Sequence, residues 1–170
     1  MKRLILLSLL TFPLVTSCNS YHYEADDNET RDYSDYQEFY LDNLDNFYNQ
    51  SEQEYLIEVY FSECPHCYET RTAIFNYLDK YKNGTKEIKL YLFNIENGTN
   101  PKGEENRKLF KQKPNNYDSE VLKNEMIRTK PTSLSDTYFI GAPSLYHINE
   151  CALINLEIGT QDVANYLYYL

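Results

Sequence analysis

The stretch FSECPHCYET, residues 61–70, holds two cysteines three positions apart, Cys64 and Cys67, with Pro65 and His66 between them. A cysteine pair with this spacing serves as a redox centre, as half of a metal site or as a structural disulfide. The sequence around the pair has to distinguish between these three uses.

The segments on both sides of the pair predict a strand, a helix and a second strand. The run EYLIEVYF (54–61) is rich in β-branched and aromatic residues, as strands are. In YETRTAIFNYLDKYKNG (68–84), apolar residues recur at helical spacing and Asn-Gly forms a natural stop. KEIKLYLFNI (86–95) alternates as a strand does. This order predicts a parallel strand pair covered by a helix.

The rest of the chain adds elements around this unit. Apolar residues at helical spacing predict an amphipathic helix over 35–50. The polar segment 96–137 is expected to be an insertion or a functional loop, with one helix around 118–128. SLYHI (144–148) and CALINLEI (151–158) predict a hairpin.

The C-terminal residues predict a last helix, TQDVANYLYYL, with Thr160 as its N-cap. Two residues of the hairpin carry reactive side chains. His147 lies inside a predicted strand, so we expect a structural role. Cys151 is expected to be a small buried hydrophobic residue, with a third redox thiol as the alternative.

The N-terminus has the features of an export signal. Residues 1–17 combine a basic start with a 12-residue apolar run, which is too short to span a bilayer of roughly 30 Å. Cys18 follows this run directly, and the pattern resembles the lipobox of bacterial lipoproteins, in which that cysteine is acylated. An ordinary secretory signal is the alternative. Residues 18–34 are polar and acidic and predict a flexible tether, which leaves 35–170 as the folded domain.

Composition limits the partners. The formal net charge of −10 over 170 residues argues against nucleic acid and against anionic membrane surfaces. Export places the domain in a compartment where disulfides persist. We therefore expect an extracytoplasmic protein held at the bacterial cell membrane through a lipid on Cys18.

A metal site and a structural disulfide both explain the pair less well than redox chemistry does. Zinc needs about four ligands, and no second Cys/His pair has matching spacing. A copper site formed by Cys64, His66 and Cys67 is a weaker alternative. A disulfide that closes only three residues removes little chain entropy. We expect no resident metal or cofactor.

The local physics of a helix start favours a reactive Cys64. With Cys64 as N-cap, Pro65 occupies N1, where a missing N–H costs nothing. The amides of His66 and Cys67 and the helix dipole then favour a thiolate on Cys64, and His66 adds a donor or a positive charge. Cys64 is thus the attacking sulfur and Cys67 the resolving one. A stabilised thiolate makes the disulfide more oxidising.

Order and motifs together resemble the thioredoxin-like family, and the CPHC sequence is that of its DsbA-type disulfide oxidases. The resemblance covers roughly 55–170. It implies an α/β thioredoxin-like fold, a central mixed sheet flanked by helices, with the 96–137 insertion before a cis-proline loop. Such a fold supports many functions, so the site must carry the functional argument.

The resemblance also assigns roles to three further residues. Glu58 lies six positions before Cys64, where the family has a buried acid that accepts the proton of the resolving thiol; a solvent-facing glutamate is the alternative. Pro143 in IGAPSL (140–145) matches the cis-proline, with a trans turn as the alternative. The backbone of Ala142 would then pair with a substrate strand.

These observations predict a membrane-anchored thiol–disulfide oxidoreductase. It would form or exchange disulfides in exported proteins through a Cys64 mixed disulfide resolved by Cys67, and a redox partner would reset the pair. The alternative is a binding lipoprotein that uses the same scaffold to capture a protein partner or copper without redox turnover. The direction of electron flow stays open.

Overall fold

A computed structural model of the chain describes residues 21–41, 43–96 and 104–170. The predicted signal peptide (1–17) and Cys18 lie outside the described residues. Within these ranges the strands are β1 Glu54–Tyr60, β2 Lys89–Asn94, β3 Ser144–Asn149 and β4 Ala152–Ile158. They form a mixed sheet in the order β2-β1-β3-β4, in which β1 pairs parallel with β2 and antiparallel with β3, and β3 pairs antiparallel with β4.

Helices flank this sheet, which makes the chain an α/β protein. In the part of the chain that the structure describes, the α-helices are α1 Pro65–Lys82, α2 Glu104–Leu109, α3 Ser119–Thr129 and α4 Thr160–Tyr169. Short 3₁₀ helices occur at Tyr33–Phe39, Leu44–Asn46 and Leu134–Asp136. The predicted order of strand, helix, strand, insertion, hairpin and helix is confirmed, and the predicted parallel pair is β1 with β2.

Alternate residues of β1 point to two separate cores, as strand geometry requires. Leu56 and Tyr60 pack with residues of α1 and α4, on what we term the α1 face of the sheet. Ile57 and Val59 pack with residues of α3 and of the segment before β1, on the α3 face. Because β1 lies between two strands and both faces are covered, Glu58 is held in the interior on the α1 face.

The predicted amphipathic α-helix over 35–50 is wrong. Two 3₁₀ helices replace it, and the side chains of Asp32 and Asn43 cap their N-termini. The chain runs along the outer edge of β2, where the amide of Leu41 donates to the carbonyl of Leu92 at 2.9 Å. Phe39 packs on the α1 face and Leu41 on the α3 face. The apolar residues at helical spacing are thus buried in two separate cores and do not form one face of a helix.

In its described part, residues 21–34, the predicted tether (18–34) contacts the α1 side of the domain through aromatic side chains, although most of its residues are exposed. Tyr23 is buried and its hydroxyl donates to the carbonyl of Glu69 at 2.7 Å. The ring of Tyr33 stacks on that of Tyr60, with centroids 3.9 Å apart. Aromatic burial outweighs the polar composition that indicated a solvated segment.

The insertion contains more regular structure than its composition indicated. The predicted helix around 118–128 is confirmed as α3, with Asp118 as N-cap. The helix α2 was not predicted. Phe110 and Met126 reach the core on the α3 face, so the described part of the insertion is an integral layer of the domain.

Two details of the C-terminal region correct the prediction. The N-cap of α4 is Gly159, and Thr160 is the first helical residue. Glu150 and Cys151 form the hairpin turn with positive φ angles of 50° and 60°. Cys151 is therefore exposed on the turn, and its predicted burial is wrong.

Candidate functional site

The two cysteines lie at the start of α1, in the arrangement that the sequence predicts. Cys64 is the N-cap residue, Pro65 follows at the first helical position, and the amide of Cys67 donates to Sγ of Cys64 at 3.1 Å. Both thiols are free and buried, with Cys64 4 % and Cys67 2 % exposed. The helix N-terminus therefore presents a donor and its positive dipole end to the Cys64 sulfur.

The two thiols are not equivalent. Burial raises the pKa of the Cys67 thiol strongly, and the hydrogen bond with Cys64 and the nearby Glu58 carboxyl raise it further. Cys67 therefore stays protonated at neutral pH unless a base takes its proton. Cys64 receives the helix-terminal hydrogen bond, whereas the pKa of Cys67 is raised by burial and by the charge of the buried acid.

Glu58 is fully buried, so the alternative of a solvent-facing glutamate is wrong. Its Oε1 accepts a hydrogen bond from the hydroxyl of Tyr33 at 3.0 Å. Its Oε2 has no hydrogen-bond partner within the described residues. Burial raises the pKa of Glu58 from 4.5 to about 8, and the Tyr33 hydrogen bond opposes that rise. The carboxyl therefore exchanges its proton close to neutral pH.

A proline loop borders the cysteines on the other side. The Ala142–Pro143 peptide bond is cis, as the resemblance implied. The thiol of Cys64 donates to the carbonyl oxygen of Ala142 at 3.5 Å. The amide of Gly159 donates to the carbonyl of Pro143 at 2.9 Å and ties the loop to the start of α4. Residues distant in sequence thus place a main-chain acceptor directly beside the Cys64 sulfur.

His66 lies exposed at the start of α1. Its side chain is 69 % exposed, and Nδ1 lies 3.0 Å from Oε2 of Glu69, one turn further along α1. Its carbonyl accepts a hydrogen bond from the hydroxyl of Thr160 at 3.2 Å. The structure thus pairs the ring with a neighbouring carboxylate, and a charge effect of His66 on Cys64 stays a prediction.

Both cysteines line a cavity of about 230 Å³ at the helix N-terminus. Rings from three parts of the chain form much of its wall, namely Tyr33, Tyr40, Tyr60, Phe61 and Tyr68. The polar residues Asp32, Ser34, Ser62, Arg71 and Asn94 complete it. The two buried cysteines thus border a cavity whose wall is largely aromatic.

Tyr33 is the site residue that sequence reasoning missed. It lies in a segment whose acidic composition predicted a tether, so no local signal marked its contact with Glu58. Burial raises the pKa of Tyr33 well above its ordinary value, and the charges of Glu58 and Cys67 add to the effect. The hydroxyl therefore stays protonated and acts as a hydrogen-bond donor.

Two other predicted residues lie apart from this site. His147 is buried, with Nε2 2.8 Å from Oε1 of Glu54 and Nδ1 2.6 Å from the hydroxyl of Tyr166. These contacts join β1, β3 and α4, as expected for a structural residue. Cys151 lies on the hairpin turn at the Glu54 end of β1, at the opposite end of the strand from the cysteine pair.

The described part of the chain holds no group of three or more His, Cys, Asp or Glu side chains arranged to bind a metal ion.

In the ranges that the structure describes, every helix is too short or too polar to cross a bilayer. Neither a scan against models of protein families nor a search of curated proteins finds a match for this chain. The site geometry must therefore carry the functional argument.

Proposed function

We propose that this protein is a thioredoxin-like thiol–disulfide oxidoreductase that acts on cysteines of other proteins. The observation that carries the proposal is the position of Cys64, an N-cap cysteine whose sulfur accepts the Cys67 amide hydrogen bond at 3.1 Å. This hydrogen bond stabilises a thiolate both as an attacking and as a leaving group. The mixed sheet with flanking helices is compatible with the fold that the sequence resembles.

The exchange proceeds in two balanced steps. In the oxidising direction, a substrate thiolate attacks Sγ of Cys64 in the Cys64–Cys67 disulfide, an S–S bond forms between them, and Cys67 leaves as a thiolate. A second substrate thiolate attacks the substrate sulfur of this mixed disulfide and expels Cys64. The substrate loses two electrons and the cysteine pair gains them. The reducing direction reverses both steps.

Glu58 handles the proton of Cys67 in this scheme. When Cys67 leaves, the protonated carboxyl of Glu58 supplies a proton to it; in reverse, the carboxylate takes the proton before Cys67 attacks. A group with a pKa of about 8 is suited to both tasks near neutral pH. The raised pKa of Cys67 makes such a partner necessary.

The surroundings of the pair fit a protein substrate. The cavity beside the cysteines is lined by aromatic rings, which suit apolar side chains next to the reacting cysteine. The main chain of Ala142, beside the Cys64 sulfur, would pair with an extended substrate segment, as the family resemblance implies. A cysteine-bearing redox partner would reset the pair through the same cavity.

The place of action follows from the N-terminal sequence. We infer that residues 1–17 direct export and that Cys18 carries a lipid that holds the domain on the extracytoplasmic face of the bacterial membrane. Exported proteins with cysteines are then its substrates. The acidic domain, with a formal net charge of −10 for the chain, suits protein partners better than nucleic acid.

The proposal is tested by trapping the mixed disulfide. The full chain with Cys67→Ser is incubated with a peptide that contains a disulfide, and the adduct is located by mass spectrometry of its fragments. We expect the peptide on Cys64, because Cys67→Ser removes the thiol that would release it. We also expect Cys64→Ser to reduce exchange to the uncatalysed rate.

Cys151→Ser is the matched control, because it removes an exposed thiol that lies on the hairpin turn. This variant should exchange at the wild-type rate. Full exchange by Cys64→Ser, or an adduct on Cys151 in place of Cys64, would contradict the proposed function.

A further inference from the structure

The N-terminal segment, residues 21–41, supplies a side chain to the interior of the candidate site. Tyr33 lies in the 3₁₀ helix Tyr33–Phe39, and its ring is stacked on Tyr60 and makes an edge contact with Phe75 at 5.2 Å. These two aromatic contacts fix the ring. Its hydroxyl consequently has a defined position, 3.0 Å from Oε1 of Glu58.

The two oxygens of Glu58 have different surroundings. Oε1 is occupied by the Tyr33 hydroxyl, whereas Oε2 is buried and has no hydrogen-bond partner among the residues that the structure describes. An unpartnered buried oxygen is costly, and such groups in folded proteins call for an explanation. The charge of the Glu58 carboxyl is one of the influences that raise the pKa of the Cys67 thiol, which puts the two groups in the same part of the site.

We propose that Tyr33 is a positioning residue: its hydroxyl holds Oε1 of Glu58 and leaves Oε2 as the oxygen that exchanges a proton with the Cys67 thiol. The inference rests on the proposed function and deepens it, because it names the group that orients the acid. Tyr33 keeps its own proton throughout, so one proton moves between Cys67 and Glu58 and none is left over.

Among the described residues, the titratable groups whose pKa the charge of Glu58 raises come from three elements of the fold. They are Tyr33 from the N-terminal segment, Tyr60 from β1 and Cys67 from α1. The register partners of Glu58 on the two neighbouring strands are both leucines. Of these three groups, Tyr33 makes the hydrogen bond to the carboxyl, and that bond lowers the pKa of Glu58.

The test follows the ring-closing attack of Cys67 in the full chain carrying Cys18→Ser and Cys151→Ser, which leaves two thiols. The chromogenic disulfide dithionitrobenzoate adds to Cys64 and releases one thionitrobenzoate. Cys67 then attacks the mixed disulfide and releases a second. The rate of the second release is measured as a function of pH. It should increase with pH, and the midpoint of this increase should lie near pH 8, where Glu58 loses its proton and becomes a base.

Tyr33→Phe removes the hydroxyl and keeps both ring contacts. Without the hydrogen bond the carboxylate is less stabilised, so we expect the midpoint to move up by roughly 0.5 to 1 pH unit, with a second release about 3- to 10-fold slower at pH 7. Tyr36→Phe is the matched control. Tyr36 lies in the same 3₁₀ helix and stacks on Phe75, but its hydroxyl donates to Asp79, so its midpoint should equal that of the parent.

Two further measurements separate the possible failures. In a Glu58→Gln background, Tyr33→Phe should change the second release no further. A carbon-13 NMR titration of the Glu58 carboxyl, assigned with Glu58→Gln, should show the same upward shift without any turnover. If Tyr33→Phe leaves the pH midpoint of the second release unchanged, the inference about Tyr33 is wrong, whereas the proposed function is not affected. Absence of a second release in the parent overturns the proposed function, and the reaction role of Tyr33 with it.

Discussion

Two glutamates on the same face of β1 have opposite environments. Glu54, at the start of the strand, has a side chain that is 40 % exposed, and it pairs with the buried His147 at 2.8 Å. Glu58, four residues later, is fully buried, and among the described residues its Oε1 has a hydrogen-bond partner whereas its Oε2 has none. The two residues share the strand, the sheet face and the residue type. Their different exposure and hydrogen bonding therefore come from the segments that pack around each side chain.

The comparison separates a structural acid from one suited to chemistry. Glu54 keeps contact with water and has a partner, so its contact with His147 ties the strands to α4 at little cost. Glu58 opposes stability, because burial of a carboxyl without a counter-charge penalises its ionised form. A buried acid that opposes folding and raises the pKa of a neighbouring buried thiol is expected where function requires it.

The largest expected effect is on the pH dependence of stability. The pKa of Glu58 is about 8 in the folded protein against 4.5 as an ordinary glutamate, so the folded state binds the proton more tightly. The stability that depends on a protonated Glu58 is fully present below pH 4.5 and is lost as the pH rises to about 8. Relative to Glu58→Gln, the wild type should lose on the order of 4 kcal/mol over this range, at ~1.4 kcal/mol per pH unit.

Urea denaturation of both proteins at several pH values between 4.5 and 9 measures this difference. Glu54→Gln is the matched control, since it removes a carboxylate on the same strand and should keep the wild-type slope. Parallel stability curves for the wild type and Glu58→Gln would show that burial does not shift this acid.

The second effect is on exchange itself. Glu58→Gln keeps the shape of the side chain and cannot take or supply a proton, so release of the mixed disulfide by Cys67 should slow on the order of 100-fold at pH 7. The formation of the mixed disulfide on Cys64 should change little. Rapid-mixing kinetics of the two thionitrobenzoate releases separate these steps. An equal slowing with Glu54→Gln would place the effect in the whole strand and not in the acid at the site.

The same two acids show what the sequence could and could not predict. The positions of Cys64 and Pro65 were predictable because helix capping is local and depends on adjacent residues. The burial of Glu58 was open, since it requires that β1 has a neighbour on each side and cover on both faces. The partner of Glu58 was not predictable at all, because Tyr33 reaches it from a segment with the composition of a solvated tether.

The predicted helix over 35–50 failed for a related physical reason. Its spacing of apolar residues was real, but Phe39 and Leu41 are buried on opposite faces of the sheet, where the chain runs along the edge of β2. A periodic pattern of apolar residues indicates that they are buried. It does not show whether they are buried in one core or in two. Local signals therefore predicted the cysteine motif well, whereas the residues that tune it depend on tertiary contacts.

The smallest effect is expected at the Glu54 end of β1. Glu54→Ala leaves Nε2 of the buried His147 without its partner, and should lower the free energy of unfolding by about 1–2 kcal/mol. Glu54→Gln keeps an oxygen acceptor at the same place and should recover most of that loss. Both proteins should form and resolve the Cys64 mixed disulfide at wild-type rates, because His147 contacts Tyr166 and Glu54 and neither belongs to the cysteine site. Urea denaturation at pH 7 and the release kinetics measure the two properties in the same samples. A slower release in Glu54→Ala would mean that the two ends of β1 are coupled, and that the structural and the chemical acid cannot be separated.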